Sequence, residues 1–387
     1  MAALSHGTGA SGDEARVSPV VESLSSGTPV DRPRGSAMTR FTILGAGAMG
    51  SALATPLRER GHEVHLWGTW LDDHLLDAVA AEKPHPRTGI RVPDGVRLFR
   101  SDDLDGALDG ADIAVLATSS EGVAPVVSLA SRALDSVDVL AVTSKGLLRD
   151  ESGAVRILPS FIADLFATRG LKAPAIVAVG GPCKANEVAA GRPTASVYGS
   201  ADEDTARAVG RLVQTDNYRI EPTADVIGLE VSAPLKNVYA IALGYMDGLA
   251  EATSEPWHDL KSAVFAQAVL EMAAMSEAMG GSARTVFGLA GTGDLQVTAL
   301  SGRNRIYGAR IGSGQTASQA LEAMRVQEQT VEGAAAIGTA VALAAQLVPD
   351  PTSRFPLLHA IQAVLEGRVD PLRELVSASL PERIPHE

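Results

Sequence analysis

The chain has 387 residues, 45% of them hydrophobic and 20% charged, which is enough to bury a sizeable core and favours two domains over one. With 46 acidic against 33 basic residues the net charge is -13, which argues against the basic face of a nucleic-acid binder but leaves room for an anionic metabolite held by a few local cations. A lone cysteine, Cys183, cannot form an intrachain disulfide, so a reducing, cytoplasmic setting is expected, and no long uncharged apolar run suggests a membrane span.

Residues 1–37 are rich in Gly, Ser, Pro and charge and lack the apolar stretch of a signal peptide. They read as a disordered tail, with the folded body beginning near Met38. The apolar run from Arg40 to Leu44 predicts a first strand, which leads into Gly45-Ala46-Gly47-Ala48-Met49-Gly50, and Ser51 to Leu57 has helical composition. Further parallel strands are predicted at Val64 to Trp67, Ile113 to Thr118, Val137 to Thr143 and Ile176 to Val179, spaced widely enough for crossover helices. This alternation describes an α/β fold with a doubly wound sheet over residues 38–222.

After Pro222 the texture changes to long Ala-rich stretches. Val264, Phe265, Ala268, Val269, Met272, Met275 and Met279 recur at helical spacing, and another helix is predicted from Val331 to Leu347, ended before Pro349. Residues 223–387 therefore read as an all-helical domain. The crevice between it and the sheet is the expected site.

Gly45, Gly47 and Gly50 follow the G-x-G-x-x-G pattern between a strand and a helix. The first glycine permits a tight turn, the second leaves room for a pyrophosphate, and the third lets helix and sheet approach. Helix N–H groups then face the phosphates. The second strand ends Leu66-Trp67-Gly68-Thr69, without the carboxylate that marks NAD sites or the arginine that often marks NADP sites, and Asp72 and Asp73 fall late. NAD and NADP both stay open.

A second polar cluster lies downstream. Lys236 sits beside Asn237 at what reads as the start of an Ala-rich helix, and Asp294 closes Gly-Thr-Gly-Asp, with Thr298 one turn later. If Lys236 and Asp294 meet, the carboxylate can orient the ammonium and set its proton affinity. Arg303 and Asn304 offer a planar fork and an amide suited to phosphate oxygens, and Gly302 and Gly308 suggest a close backbone approach. Lys145 follows the Val137 to Thr143 strand, at the end where open sheets bind ligands. His62, His85 and His258 lack metal-ligand spacing, so no metal is expected, and Cys183 reads as packing rather than as a nucleophile.

Over residues 40 to 372 this ordered set resembles the NAD(P)-dependent glycerol-3-phosphate dehydrogenase family. The resemblance rests on the glycine loop, Thr143-Ser144-Lys145-Gly146, residues 180–188, Leu235-Lys236-Asn237-Val238, residues 291–295, residues 302–305 and Val331-Glu332-Gly333. It implies an N-terminal Rossmann domain, a helical C-terminal domain and a homodimer. It further implies interconversion of sn-glycerol 3-phosphate and dihydroxyacetone phosphate with NAD or NADP, feeding glycerophospholipid synthesis.

Carried onto this chain, Lys236, Lys145 and Asp294 are implied as the catalytic set, and Asn237, Thr298, Arg303 and Asn304 as substrate contacts. Gly45, Ala46, Gly47, Ala48, Met49, Gly50, Lys145, Arg303 and Glu332 are implied to line the cofactor. The chain departs from the family at Gly180-Gly-Pro-Cys-Lys-Ala185, at Gln267 where arginine is common, and at Trp67-Gly68-Thr69. The other readings of these residues are a two-domain dehydrogenase for a hydroxy acid or ketopantoate-like substrate, and a non-catalytic dinucleotide sensor.

Overall fold

The computed structural model describes residues 38–327 and 329–384. The tail expected at 1–37 lies outside them. Strands β1 (Arg40–Leu44), β2 (Glu63–Trp67), β3 (Val96–Phe99), β4 (Ile113–Leu116), β5 (Val139–Val142), β8 (Ala175–Gly180), β9 (Thr194–Gly199) and β10 (Tyr218–Thr223) form one sheet, while β6 (Leu147–Arg149) and β7 (Val155–Ile157) form a hairpin beside it. The sheet order is β10-β9-β8-β5-β4-β1-β2-β3, parallel from β3 to β8. Strand order reverses between β1 and β4, which opens a crevice at their carboxyl ends.

The strands read as continuous apolar runs because both faces are covered. Phe41 and Ile43 pack into one core with Leu53 and Leu57, whereas Leu44, Leu116 and Val142 pack into the core on the opposite face. The sheet is nevertheless mixed, since β9 runs antiparallel to β8. Strands β3, β9 and β10 are additional to those expected from the sequence. β3 alternates and is partly exposed at the sheet edge, and β10 carries Pro222, so neither shows the buried apolar run used to find the others.

Eight helices form or brace the site. They are α1 (Ala48–Glu59), α2 (Leu158–Thr168), α3 (Val226–Thr253), α4 (His258–Ala278), α5 (Asp294–Ser301), α6 (Arg303–Gly312), α7 (Glu332–Leu347) and α8 (Pro356–Leu365). The predicted stripe of α4 is present, with Val264, Ala268, Met272 and Met275 buried, and α7 matches its expected span. At α3 the expectation is corrected. The helix starts at Val226, so Lys236 lies in its interior rather than at its start. Pro234 inside it resembles a boundary in sequence, yet neighbouring helices enclose α3 and hold it helical through the proline. By length and composition α3 could cross a bilayer, but its apolar window is wholly buried within this fold.

Glycines set how closely α3 and α6 cross. A Cβ on Gly308 would stand 1.9 Å from the carbonyl oxygen of Ile241, and one on Gly248 would stand 1.9 Å from that of Ala309. The close approach expected near Gly308 is therefore to another helix. That contact fixes where the start of α6 points.

Buried Glu271, on α4, joins three elements. Its carboxylate accepts hydrogen bonds from the backbone N–H groups of Leu357 (2.6 Å) and Leu358 (2.9 Å) at the start of α8, from the Tyr239 hydroxyl and from Gln267 Nε2, both at 2.9 Å. Gln267, the departure noted in sequence, is thus part of a helix cap. Glu271→Ala would leave buried donors unpaired, and a loss on the order of 3 kcal/mol is expected in urea unfolding. A change below about 0.5 kcal/mol, the scale of ordinary surface substitutions, would contradict the capping role.

Candidate active site

The glycine loop has the local geometry that a dinucleotide needs. Gly45 has φ +116°, and a Cβ there would meet the Ala117 carbonyl oxygen at 2.8 Å. On Gly50 it would stand 2.1 Å from the oxygen of Gly45, which is the close packing of helix on strand. At Gly47 the nearest atom is Arg87 Nη1 at 3.6 Å, so the turn is open where a pyrophosphate would approach. No side chain caps α1, which leaves its first N–H groups for an anion. The loop therefore fits NAD or NADP.

Three residues around this loop were not assigned to the site from sequence. Asp72 Oδ2 accepts from Thr69 N (3.0 Å), Thr69 Oγ1 (2.9 Å) and Ala46 N (3.3 Å), so the carboxylate that looked late folds back onto the loop and is committed there. His85 Nδ1 accepts from Arg87 N at 3.2 Å, so Nε2 carries the hydrogen and donates to the Ala46 oxygen at 3.0 Å. Burial pushes the His85 imidazole down, which favours this neutral form. His85 thereby pins the segment bearing Arg87 against the glycine turn.

The downstream residues converge. Lys236 is 7% exposed and Asp294 1% exposed. Asp294 Oδ1 accepts from Lys236 Nζ at 2.5 Å and Oδ2 accepts from Lys145 Nζ at 2.6 Å, while Lys236 also donates to Thr298 Oγ1 at 2.9 Å. Residues from the end of β5, the interior of α3 and the start of α5 thus meet at one carboxylate. A short π-helical turn, Leu289–Gly293, precedes Asp294 and packs against Pro182 at Gly293.

One carboxylate shared by two ammonium groups treats them unequally. Burial pulls Lys236 down to about 8, opposed by Asp294 and assisted by the charge of Lys145. Burial pulls on Lys145 too, but there the charge and hydrogen bond of Asp294 prevail and hold it above the ordinary lysine value. The burial and charges thus lower the proton affinity of Lys236 and raise that of Lys145. Burial pushes the nearby Cys183 thiol up, away from the thiolate that nucleophilic attack requires.

From Asn237 the network continues outward. Asn237 Nδ2 donates to Glu332 Oε2 at 3.0 Å, and Arg303 donates through Nη2 to Glu332 Oε1 at 2.9 Å and through Nη1 to Thr330 Oγ1 at 2.5 Å. The Arg303 side chain is 47% exposed at the mouth. Asn304 behaves differently from the expected phosphate contact, because its amide is buried and used internally. Nδ2 donates to Asn237 Oδ1 at 2.9 Å and Oδ1 accepts from Gly333 N at 2.8 Å. Its remaining offer to an anion is the backbone N–H in the first turn of α6.

The segment 180–185 closes the crevice from the sheet side. Lys184 Nζ donates to Ser301 Oγ at 2.6 Å, across to the end of α5.

Fold and site together define a two-domain, dinucleotide-dependent dehydrogenase. Residues 40–206 match the family model described as NAD-dependent glycerol-3-phosphate dehydrogenase N-terminus, and residues 225–376 match the one described as its C-terminus. The chain belongs to the NAD-dependent glycerol-3-phosphate dehydrogenase family and is an NAD(P)-dependent oxidoreductase.

It is 37% identical over 281 residues to the NADP(+)-dependent glycerol-3-phosphate dehydrogenase of Archaeoglobus fulgidus, covering 73% of this chain and 82% of that one. To the glycerol-3-phosphate dehydrogenase (NAD(P)+) of Koribacter versatilis it is 34% identical over 348 residues, 88% of this chain and 97% of the other. The crystal structure of glycerol-3-phosphate dehydrogenase from Coxiella burnetii superimposes with a TM-score of 0.74 at 26% identity, covering 88% of this chain and 98% of that one.

Proposed function

We propose that the chain interconverts sn-glycerol 3-phosphate and dihydroxyacetone phosphate, with Lys236 as proton donor and acceptor. The observation that carries this reading is the buried lysine pair on Asp294, in which only Lys236 has a proton affinity near neutrality. Family membership favours this substrate over a keto acid, and the second polar pocket favours an enzyme over a sensor. The bound nicotinamide supplies or accepts the hydride. In the reducing direction Lys236 gives a proton to the forming alkoxide while its charge, and that of Lys145, stabilises the developing negative oxygen. Thr298 and Asp294 hold its ammonium in place.

The phosphate is the fixed handle at the other end. Arg303 can turn from Glu332 toward it, and the N–H groups at the start of α6 add backbone donors, so binding energy at the phosphate orients the carbonyl at Lys236. The division between the domains is placed near residue 222. A homodimer in the cytoplasm, supplying glycerophospholipid synthesis, completes the proposal. The test is nicotinamide absorbance followed with dihydroxyacetone phosphate and NADPH or NADH. Oxidation of either cofactor supports the reading; a keto acid turned over in its place contradicts it.

Arg87 supports acceptance of NADP. Its guanidinium lies over the phosphate turn, and the Asp72 carboxylate beside Thr69 is already taken up by Thr69 and the Ala46 N–H. Arg87→Ala is expected to weaken NADPH binding on the order of tenfold, and NADH binding less, in fluorescence titrations. Unchanged NADPH affinity would remove Arg87 from the site.

The proton affinity of Lys236 also sets opposite pH limbs. Oxidation of glycerol 3-phosphate needs a neutral lysine, so its rate rises as pH passes about 8, whereas reduction needs the ammonium and falls over the same range. Initial rates in both directions check the sign, and limbs that run the same way would contradict the assignment.

A further inference from the structure

Lys184 belongs to the segment that departs from the family pattern, and the chemistry above gives it no role. It lies half-buried in the connection after β8 and reaches across to the helical domain. Pro182 packs against Gly293 just before α5 begins, and Lys184 Nζ donates to Ser301 Oγ at 2.6 Å where α5 ends. The connection therefore runs alongside α5.

Asp294, Thr298 and Ser301 are spaced i, i+4 and i+7, which places them on one face of that helix. The first two hold Lys236, and the third holds Lys184. From Thr298 to Ser301 the helix rises about 4.5 Å. One ammonium thus stands at the proton-transfer end and another one turn nearer the start of α6, two residues before Arg303. In glycerol 3-phosphate only a methylene and an ester oxygen separate the reacting carbon from the phosphorus, so the two spans are comparable.

Charge distinguishes Lys184 from Arg303. Arg303 is paired with Glu332 at 2.9 Å, which offsets its positive charge at the mouth. Among the described residues no carboxylate pairs with Lys184, and its bond to a hydroxyl leaves its charge uncompensated. A phosphate monoester carries close to two negative charges at neutral pH, more than a guanidinium shared with a carboxylate can balance.

Resting on the reading of glycerol 3-phosphate as substrate, we propose that Lys184 is a second phosphate-binding cation that sets the preference for a phosphorylated substrate. Its ammonium keeps N–H donors beyond the one given to Ser301. It approaches from the sheet domain, whereas Arg303 and the first N–H groups of α6 approach from the helical one, so the phosphate is gripped from both sides of the crevice.

The test is steady-state oxidation of glycerol 3-phosphate by the full chain and its Lys184→Gln, Lys184→Arg and Ser301→Ala variants, each also inhibited with inorganic phosphate. Lys184→Gln removes the charge and keeps a donor for Ser301. It is expected to raise KM for glycerol 3-phosphate and the inhibition constant of phosphate about tenfold each, the scale of one hydrogen bond to a charged group, with kcat and NADP+ affinity near those of the parent. Lys184→Arg and Ser301→Ala both keep a cation and are expected to stay closer to the parent.

A parental KM in Lys184→Gln overturns the inference, as does a raised KM with phosphate inhibition unchanged. So does a KM in Ser301→Ala raised as far as in Lys184→Gln, because Lys184 would then be only a latch between the domains. A parent that leaves glycerol 3-phosphate unoxidised refutes the substrate reading and the inference with it, whereas parental turnover beside an unmoved Lys184→Gln KM refutes the role of Lys184 alone.

Discussion

Lys236→Ala is expected to lower kcat by about 100-fold or more while leaving NADPH affinity close to that of the parent. The two halves of this expectation follow from separate parts of the fold. Proton transfer depends on an ammonium held by Asp294 and Thr298 in the interior of α3, whereas the cofactor is held at the turn after β1. The effect therefore belongs in kcat, with the phosphate handle still able to bind substrate at Arg303. A variant with near-parental turnover would move the proton donor elsewhere. A variant that lost cofactor binding would show that the substitution had disturbed the crevice as a whole.

Asp294→Ala is expected to be costlier still, because it touches both stability and chemistry. Asp294 is 1% exposed and is the carboxylate that both buried ammonium groups share. Removing it leaves them facing each other without compensation, and breaking a buried pair in this way costs about 3–5 kcal/mol. The lysines are then expected to lose protons more readily, so reduction at neutral pH should fall at least as far as in Lys236→Ala. Denaturant unfolding and steady-state rates check the two parts. Asp294→Asn separates them, since the amide keeps the volume and can still accept one hydrogen bond. Parental stability together with parental turnover in Asp294→Ala would contradict the shared-carboxylate arrangement.

What could be read from the sequence was mostly local. The strand, glycine turn and helix at residues 40–57 follow one another, and each glycine in the turn has a steric reason that depends on a few neighbouring residues. The convergence of Lys145, Lys236 and Asp294 was stated only conditionally from the motifs, because their hydrogen bonds join residues 149 and 58 positions apart. Arg87 and Asp72 escaped for a similar reason. His85 reaches back 39 residues to the glycine turn, and Asp72 reaches back 26, so neither shows a spacing signal.

Other differences came from packing. Pro234 reads as a helix boundary in isolation, yet α3 is enclosed on nearly all sides and continues through it. Gly248 and Gly308 serve a helix crossing that no single-segment pattern reveals. Asn304 carried a phosphate-contact signature in sequence, and its amide is instead a brace between α3, α6 and α7.

The central claim is that one small phosphorylated substrate lies between Lys236 and the start of α6. A crystal structure of the ternary complex with NADP+ and glycerol 3-phosphate tests it most directly. The expected result is Lys236 Nζ within about 3.2 Å of the oxygen on the reacting carbon and the phosphate against Arg303. A substrate whose reacting carbon lies away from Lys236, or whose phosphate sits apart from Arg303, would contradict it.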